Sequence, residues 1–111
     1  MERFVKGEVV VVWFPFSDLS DSKKRPALVL ADLNGDDVIL CQITSQNFTD
    51  DYRIELVNKD FKRGNILTNS YIRPNRIFTA DKQIISKSLG VISTHKLNEV
   101  YRSIYEIFEK D

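Results

Sequence analysis

The chain opens on an apolar run. Val9-Val10-Val11-Val12-Trp13-Phe14 follows Gly7-Glu8 and ends at Pro15. Its β-branched and aromatic residues predict a strand. Its near-continuous hydrophobicity predicts burial on both faces, as in a small closed barrel. A polar loop from Ser17 to Lys24 follows, then a second strand at Pro26-Ala27-Leu28-Val29-Leu30-Ala31. Asn34-Gly35 between apolar runs is a hairpin signal, because both residues tolerate the positive φ of tight turns. Val38 to Thr44 reads as the third strand, and Tyr52-Arg53-Ile54-Glu55-Leu56 alternates with period two, as a strand with one solvated face does.

The second half is more broken. Asn58 to Asn65 is polar and reads as a connection; Ile66-Leu67, Ser70-Tyr71-Ile72 and Arg76-Ile77-Phe78-Thr79 read as short strand pieces, closed by Gly90. Ser93 or Thr94 then caps a helix. Leu97, Val100, Tyr101, Ile104, Ile107 and Phe108 fall on one stripe of a 3.6-residue period, which predicts docking on the sheet or on a partner. The expected architecture is mainly β with a helix (α+β): five or more antiparallel strands, then a C-terminal helix, in a single domain over residues 1–111.

Composition narrows the function. Sixteen basic residues balance sixteen acidic ones, so bulk charge gives no support to nucleic-acid binding. One Cys and one His exclude an internal disulfide framework, a multi-thiolate zinc site and most His-rich metal centres. Cys41, in an apolar strand, reads as a buried structural thiol, and His95, in the first helical turn, as a surface residue. The loop aspartates have no calcium-loop or two-metal spacing. No stretch suits a signal peptide or a membrane span, and the expectation is a cytoplasmic protein.

Two constellations carry chemistry. Arg25, in Lys24-Arg25-Pro26, stands where a polar loop meets a strand fixed by Pro; Thr44-Ser45-Gln46 leaves the third strand with two hydroxyls and an amide. Arg25 lies nine positions before Asn34 and Thr44 nine after Gly35, so a hairpin at Asn34-Gly35 places both at one open end. A guanidinium fork beside a hydroxyl suits a phosphate. The same residue types also occur as ordinary strand-end features. Between Lys59 and Lys87, seven cations (Lys59, Lys62, Arg63, Arg73, Arg76, Lys82, Lys87) face only Asp60 and Asp81, with Phe61, Tyr71 and Phe78 interleaved. Cations with aromatics suit single-stranded nucleic acid, and equally a solvated face whose aromatics turn inward. The neutral total divides into 6 basic and 10 acidic residues over 1–55, and 10 basic and 6 acidic over 56–111.

The order of Gly7-Glu8-Val9-Val10, Trp13-Phe14-Pro15-Phe16, Lys24-Arg25-Pro26-Ala27-Leu28-Val29-Leu30 and Ile43-Thr44-Ser45-Gln46, followed by Ser70-Tyr71-Ile72-Arg73-Pro74, Ile77-Phe78-Thr79 and Leu89-Gly90, resembles the PemK/MazF toxins of type II toxin–antitoxin systems. The resemblance covers nearly the whole chain. It implies an SH3-like barrel of curved antiparallel sheet that forms a homodimer. It implies a metal-independent endoribonuclease, with no cofactor, that cuts single-stranded RNA to a 2′,3′-cyclic phosphate. It further implies a cognate antitoxin that blocks the RNA groove, DNA binding in complex with that antitoxin, and no membrane partner. Arg25 and Thr44 take the catalytic positions; Ser17, Lys23, Lys24, Ser45, Gln46, Tyr71, Arg73 and Arg76 are the expected substrate contacts. The Ser17–Lys24 loop is shorter than the family's and lacks its Glu and Gln. The competing expectation is a non-catalytic barrel of the same fold, a regulator or a gyrase-poison-like toxin. A poison of that kind needs a tail indole, and the only Trp here is Trp13.

Overall fold

Seven strands make one antiparallel sheet in the computed structural model, which describes residues 3–14, 23–46 and 50–110. They are β1 (Glu8–Phe14), β2 (Lys23–Asp32), β3 (Asp37–Thr44), β4 (Ile54–Leu56), β5 (Phe61–Gly64), β6 (Ser70–Asp81) and β7 (Ile85–Ile92), followed by helix α1 (Thr94–Glu109). Their order across the sheet is β4-β6-β3-β2-β1-β7-β5.

That order forces the sheet to curl. β4 and β5 are its two outer strands, yet only Val57–Asp60 separate them in the chain. Seven strands laid flat would put the edges roughly 29 Å apart at about 4.8 Å per step. Five residue steps reach at most about 17 Å. The short tether is pinned by Val57 N–H donating to Asp60 Oδ2 (2.9 Å) and Ser93 N–H donating to the Asp60 carbonyl (2.7 Å). Lys96 of α1 spans the seam, donating to the Glu55 carbonyl (3.1 Å) and pairing with Asp60 (3.7 Å).

Both faces of the central strands are buried, as the apolar run in β1 predicts. Val9, Leu28, Leu30, Cys41, Ile43 and Ile72 pack toward Val100 of α1. Val10, Val12, Ala27, Val29, Val38 and Leu40 alternate with them and pack on the opposite face with Phe4. Each such side chain contributes about 1.5–3 kcal/mol on burial. Leu28→Ala, at a site with no exposure, is the kind of change that costs about 2–5 kcal/mol.

The helix begins where predicted. Ser93 Oγ accepts the Lys96 N–H at 3.1 Å, making Ser93 the cap and Thr94 the first helical residue. Val100 is the buried centre of the stripe, and Tyr101 O–H donates to the Leu30 carbonyl at 2.7 Å. The stripe does not stay covered to its end, since Phe108 is 77% exposed.

The second half departs from the pattern reading in three places. Ile66-Leu67 is not strand but part of the β5–β6 connection, where Leu67 is 98% exposed. The two pieces around Pro74 are one strand, β6, with an irregularity between Cys41↔Ile77 and Ile43↔Ile72. Arg73–Arg76 there oppose Gln42 alone, and that widened ladder accommodates a residue with no N–H. β5 and β7 have no counterpart in the hydrophobic pattern. They meet at Gly64 and Gly90, whose φ values are +79° and +151°. A Cβ on Gly64 would fall 2.1 Å from the Leu89 carbonyl oxygen. Only glycine permits both the conformation and the approach.

Candidate active site

The β2–β3 ladder ends at Ala27↔Gln42. Beyond it Lys23–Pro26 pair only with β1, so the two strands part, and Pro26 sits where no β3 partner needs its N–H. Continuing the register by two residues sets Arg25 opposite Thr44. The next strands extend this row: Thr44 pairs with Tyr71, and Tyr71 with Glu55. On the other side Val12 pairs with Arg25. A guanidinium, a hydroxyl, a phenol and a carboxylate thus lie on one face in four successive strands, about 4.8 Å apart from Thr44 to Tyr71 and from Tyr71 to Glu55, and wider between Arg25 and Thr44, where the strands part.

A cleft of about 710 Å³ opens where β2 and β3 part. Lys23, Lys24, Arg25 and Pro26 border it from β2, and Thr44 and Ser45 from β3. Lys87 and Leu89 of β7 and Asn65–Thr68 of the β5–β6 connection form the far wall. Residues of both sheet faces meet there. Lys24 pairs with Trp13 and Lys87 with Val11, on the face opposite Arg25. Four cations and no carboxylate, among the described residues, surround the cleft in a chain whose total charge is zero.

The bordering groups are fixed. Thr44 is 5% exposed, and its Oγ1 accepts the Gln46 N–H at 3.1 Å, which sets the hydroxyl and the turn after β3. Arg25 Nε is buried although the residue is only half-buried. Lys24 Nζ stands 4.7 Å from the Trp13 ring centroid. The wall is anchored by Ile66 N–H donating to Asn58 Oδ1 (2.8 Å) and Ser70 O–H donating to the Thr68 carbonyl (2.8 Å).

The expected substrate contacts divide. Lys23, Lys24 and Ser45 border the cleft with Arg25 and Thr44; Gln46, Tyr71, Arg73 and Arg76 do not line it. Tyr71 is nonetheless the next member of the row. Arg73 is turned to the β3–β4 connection, where it pairs with Asp50 at 3.1 Å, and Asn75 Nδ2 donates to the same carboxylate oxygen. Arg76 is exposed in the bulge. Ser17 lies outside the described residues.

The basic stretch does not form one surface. Lys82 pairs with Asp32 (2.7 Å) at the β2–β3 turn, Lys62 and Arg63 lie on β5, and only Lys87 reaches the cleft. Sequence pattern does not single out Lys87 as a site residue because it does not show β7; the only signal for it is the basic stretch itself. Cys41 Sγ donates to the Arg73 carbonyl at 2.8 Å, and burial pushes the thiol up to about 12. His95 is exposed on α1. No group of three or more His, Cys, Asp or Glu able to hold a metal occurs among the described residues. No helix among them is long and apolar enough to cross a membrane.

A curled seven-stranded sheet, a helix after it and a cationic cleft at parted strand ends define a small β-barrel protein with a positively charged cleft. The chain belongs to the family of PemK-like, MazF-like toxins of type II toxin–antitoxin systems, whose model matches residues 5–108. Solved structures share the fold at low identity. One is an endoribonuclease from a mycobacterial species in complex with its cognate antitoxin (TM-score 0.76, 16% identity, 98% of each chain covered). Another is the Mycobacterium tuberculosis toxin MazF-mt6 (TM-score 0.72, 14% identity, 94% of this chain and 98% of that). A third is a MazE–MazF complex from Deinococcus radiodurans (TM-score 0.71, 16% identity, 96% and 95%). No curated protein matches the sequence.

Proposed function

We propose that this chain is the toxin of a type II pair, an endoribonuclease that cuts single-stranded RNA with no metal in its mechanism. The observation that carries this reading is the cleft, with four cations and no carboxylate among the described residues, bordered by Arg25 and Thr44. Family membership supports it, as do the mycobacterial endoribonuclease and its antitoxin among the structural neighbours.

Such a cleft suits attack by the RNA's own 2′-oxygen. The 2′-OH gives its proton to solvent water, a 2′-O–P bond forms, the P–O5′ bond breaks, and the 5′-oxygen takes a proton from water. The products are a 2′,3′-cyclic phosphate and a 5′-hydroxyl. No protein nucleophile is needed, which fits a chain with one inert thiol and one remote imidazole. Arg25 stabilises the charge that develops on the phosphorane and donates toward the departing 5′-oxygen. The Thr44 hydroxyl, set by the Gln46 N–H, orients the phosphate. Lys23, Lys24 and Lys87 hold neighbouring phosphates. The chain works in the cytoplasm as a homodimer, and its antitoxin covers the cleft.

Incubating the purified protein with a long RNA, with and without EDTA, and mapping both new ends tests this. Fragments ending in a cyclic phosphate, produced equally in EDTA, are expected. Intact RNA, or cleavage that stops in EDTA, overturns it.

A further inference from the structure

The row that starts at Arg25 ends at Glu55. Glu55 pairs with Tyr71 from the outer strand β4, two strands and about 10 Å from Thr44 on the same face. It is exposed. A carboxylate beside the path of a polyanion is repelled by every phosphate it meets. Its neighbours, however, suit a base. Arg53, two residues earlier, lies 5.4 Å from the Tyr71 ring centroid. Guanidinium and phenol planes are surfaces on which unstacked bases lie. The backbone beneath is rigid: Ile54 and Leu56 are buried on either side, and Lys96 Nζ donates to the Glu55 carbonyl at 3.1 Å.

We propose that Glu55 reads a guanine next to the scissile phosphate, stacked on the Arg53–Tyr71 pair. This rests on the nuclease reading above. An ionised carboxylate has acceptors only. Guanine alone among the four bases offers two adjacent donors on its Watson–Crick edge, N1–H and the N2 amino group, for two carboxylate oxygens. Adenine and cytosine set one amino donor beside an acceptor. Uracil sets one N–H between two carbonyls, which the carboxylate repels. The carboxylate that opposes the backbone therefore selects the base.

The test uses the full chain and RNA substrates. Cleavage sites are mapped on a long RNA for the wild type and for Glu55→Gln, whose amide keeps the shape and exchanges one acceptor for a donor. Short RNAs carrying guanine, inosine or adenine at the selected position are then timed. The wild type should show guanine at one fixed position near the cut, and adenine there should lower kcat/KM about tenfold or more, as loss of a bidentate base contact does. Inosine, lacking the N2 amino group, should fall between. In Glu55→Gln the guanine-to-adenine ratio should shrink to about threefold or less, the scale left once one of two such bonds is lost. A wild type without a fixed guanine, or a Glu55→Gln protein that keeps the preference, overturns the proposal. Cleavage that needs Arg25 but ignores Glu55 overturns it alone, whereas a wild type that cuts nothing removes the nuclease reading and this one together.

Discussion

Arg25 comes opposite Thr44 because two one-residue offsets cancel. The turn between β2 and β3 holds three residues, not two: Leu33 N–H donates to the Asp37 carbonyl at 3.1 Å, around Asn34-Gly35-Asp36. Asp32 consequently pairs with Val38 and Ala31 with Ile39. The extra residue is absorbed at Leu30, where β2 bulges, and Val29↔Leu40 restores the register of a two-residue turn. Arg25→Ala and Thr44→Val should each lower kcat/KM for RNA cleavage by about 10²–10³, the loss expected for one preorganised donor. Melting temperatures should stay within a few degrees, because neither substitution removes a backbone pairing: Val12↔Arg25 and Thr44↔Tyr71 stay in place, and Arg25 and Thr44 are not paired to each other. Cleavage kinetics alongside thermal melts check both halves.

The nine-and-nine spacing around Asn34-Gly35 was therefore legible in sequence, though the turn beneath it was not. Gly35, at φ +93°, is the only one of the pair with positive φ. The first three strands and the helix stood out because their apolar residues follow periods of two and 3.6. β7 did not, because Ser86, Lys87, Ser88 and Gly90 interrupt any alternation. Its place is fixed instead by pairing with β1, a long-range contact that local pattern does not encode. β6 reads as two pieces in sequence because Pro74 normally ends a strand, and here it sits in a bulge. Of the candidate site, the placing of Arg25 and Thr44 at one open end of the β2–β3 pair followed from counting. The Glu55 position needed the β4–β6 register, and Lys87 needed β7.

Gly64 and Gly90 fix where the far wall of the cleft stands. Gly64→Ala or Gly90→Ala places a methyl within 2.1 or 2.3 Å of a carbonyl oxygen on the facing strand, at a positive φ in each case. Either change should destabilise the fold by about 2–4 kcal/mol, since strain and overlap act together. Denaturant unfolding checks this, and β5 and β7 should be the first region to gain amide exchange.

Acid should weaken the fold through two aspartates. Asp32 is held below its ordinary 3.8 by the hydrogen bond from Lys82 and then by the Phe4 N–H. Asp50 is held below the same value by the Tyr52 N–H first, then by Arg73 and Asn75. A folded-state value below the unfolded one contributes stability that is present above about 3.8 and lost as pH falls through the lower folded value. Melting temperature should thus be insensitive to these groups above pH 5 and drop below about pH 4. Asp32→Asn should lower the plateau and flatten that acid limb. A limb equally steep in Asp32→Asn would count against the linkage.

Cys41 should be silent in the native state. Its thiol is fully buried and ionises only near 12. The reactive thiolate is therefore nearly absent at pH 8. A disulfide-exchange reagent should label no thiol on the folded chain and one on the unfolded chain, with a labelling rate that reports opening of the sheet.

The strand order has a consequence for synthesis. β1 leaves the ribosome well before β7, one of its two neighbours, which ends at Ile92. Lys87 and Leu89 of that strand supply part of the cleft. A nascent chain cannot shut its barrel until nearly everything before α1 has emerged, and closure by such distant pairing is slow. Prematurely terminated products carry Arg25 and Thr44 but no cleft to hold a substrate against them. On the proposed function, the topology withholds cleavage until β7 has been made and has paired with β1.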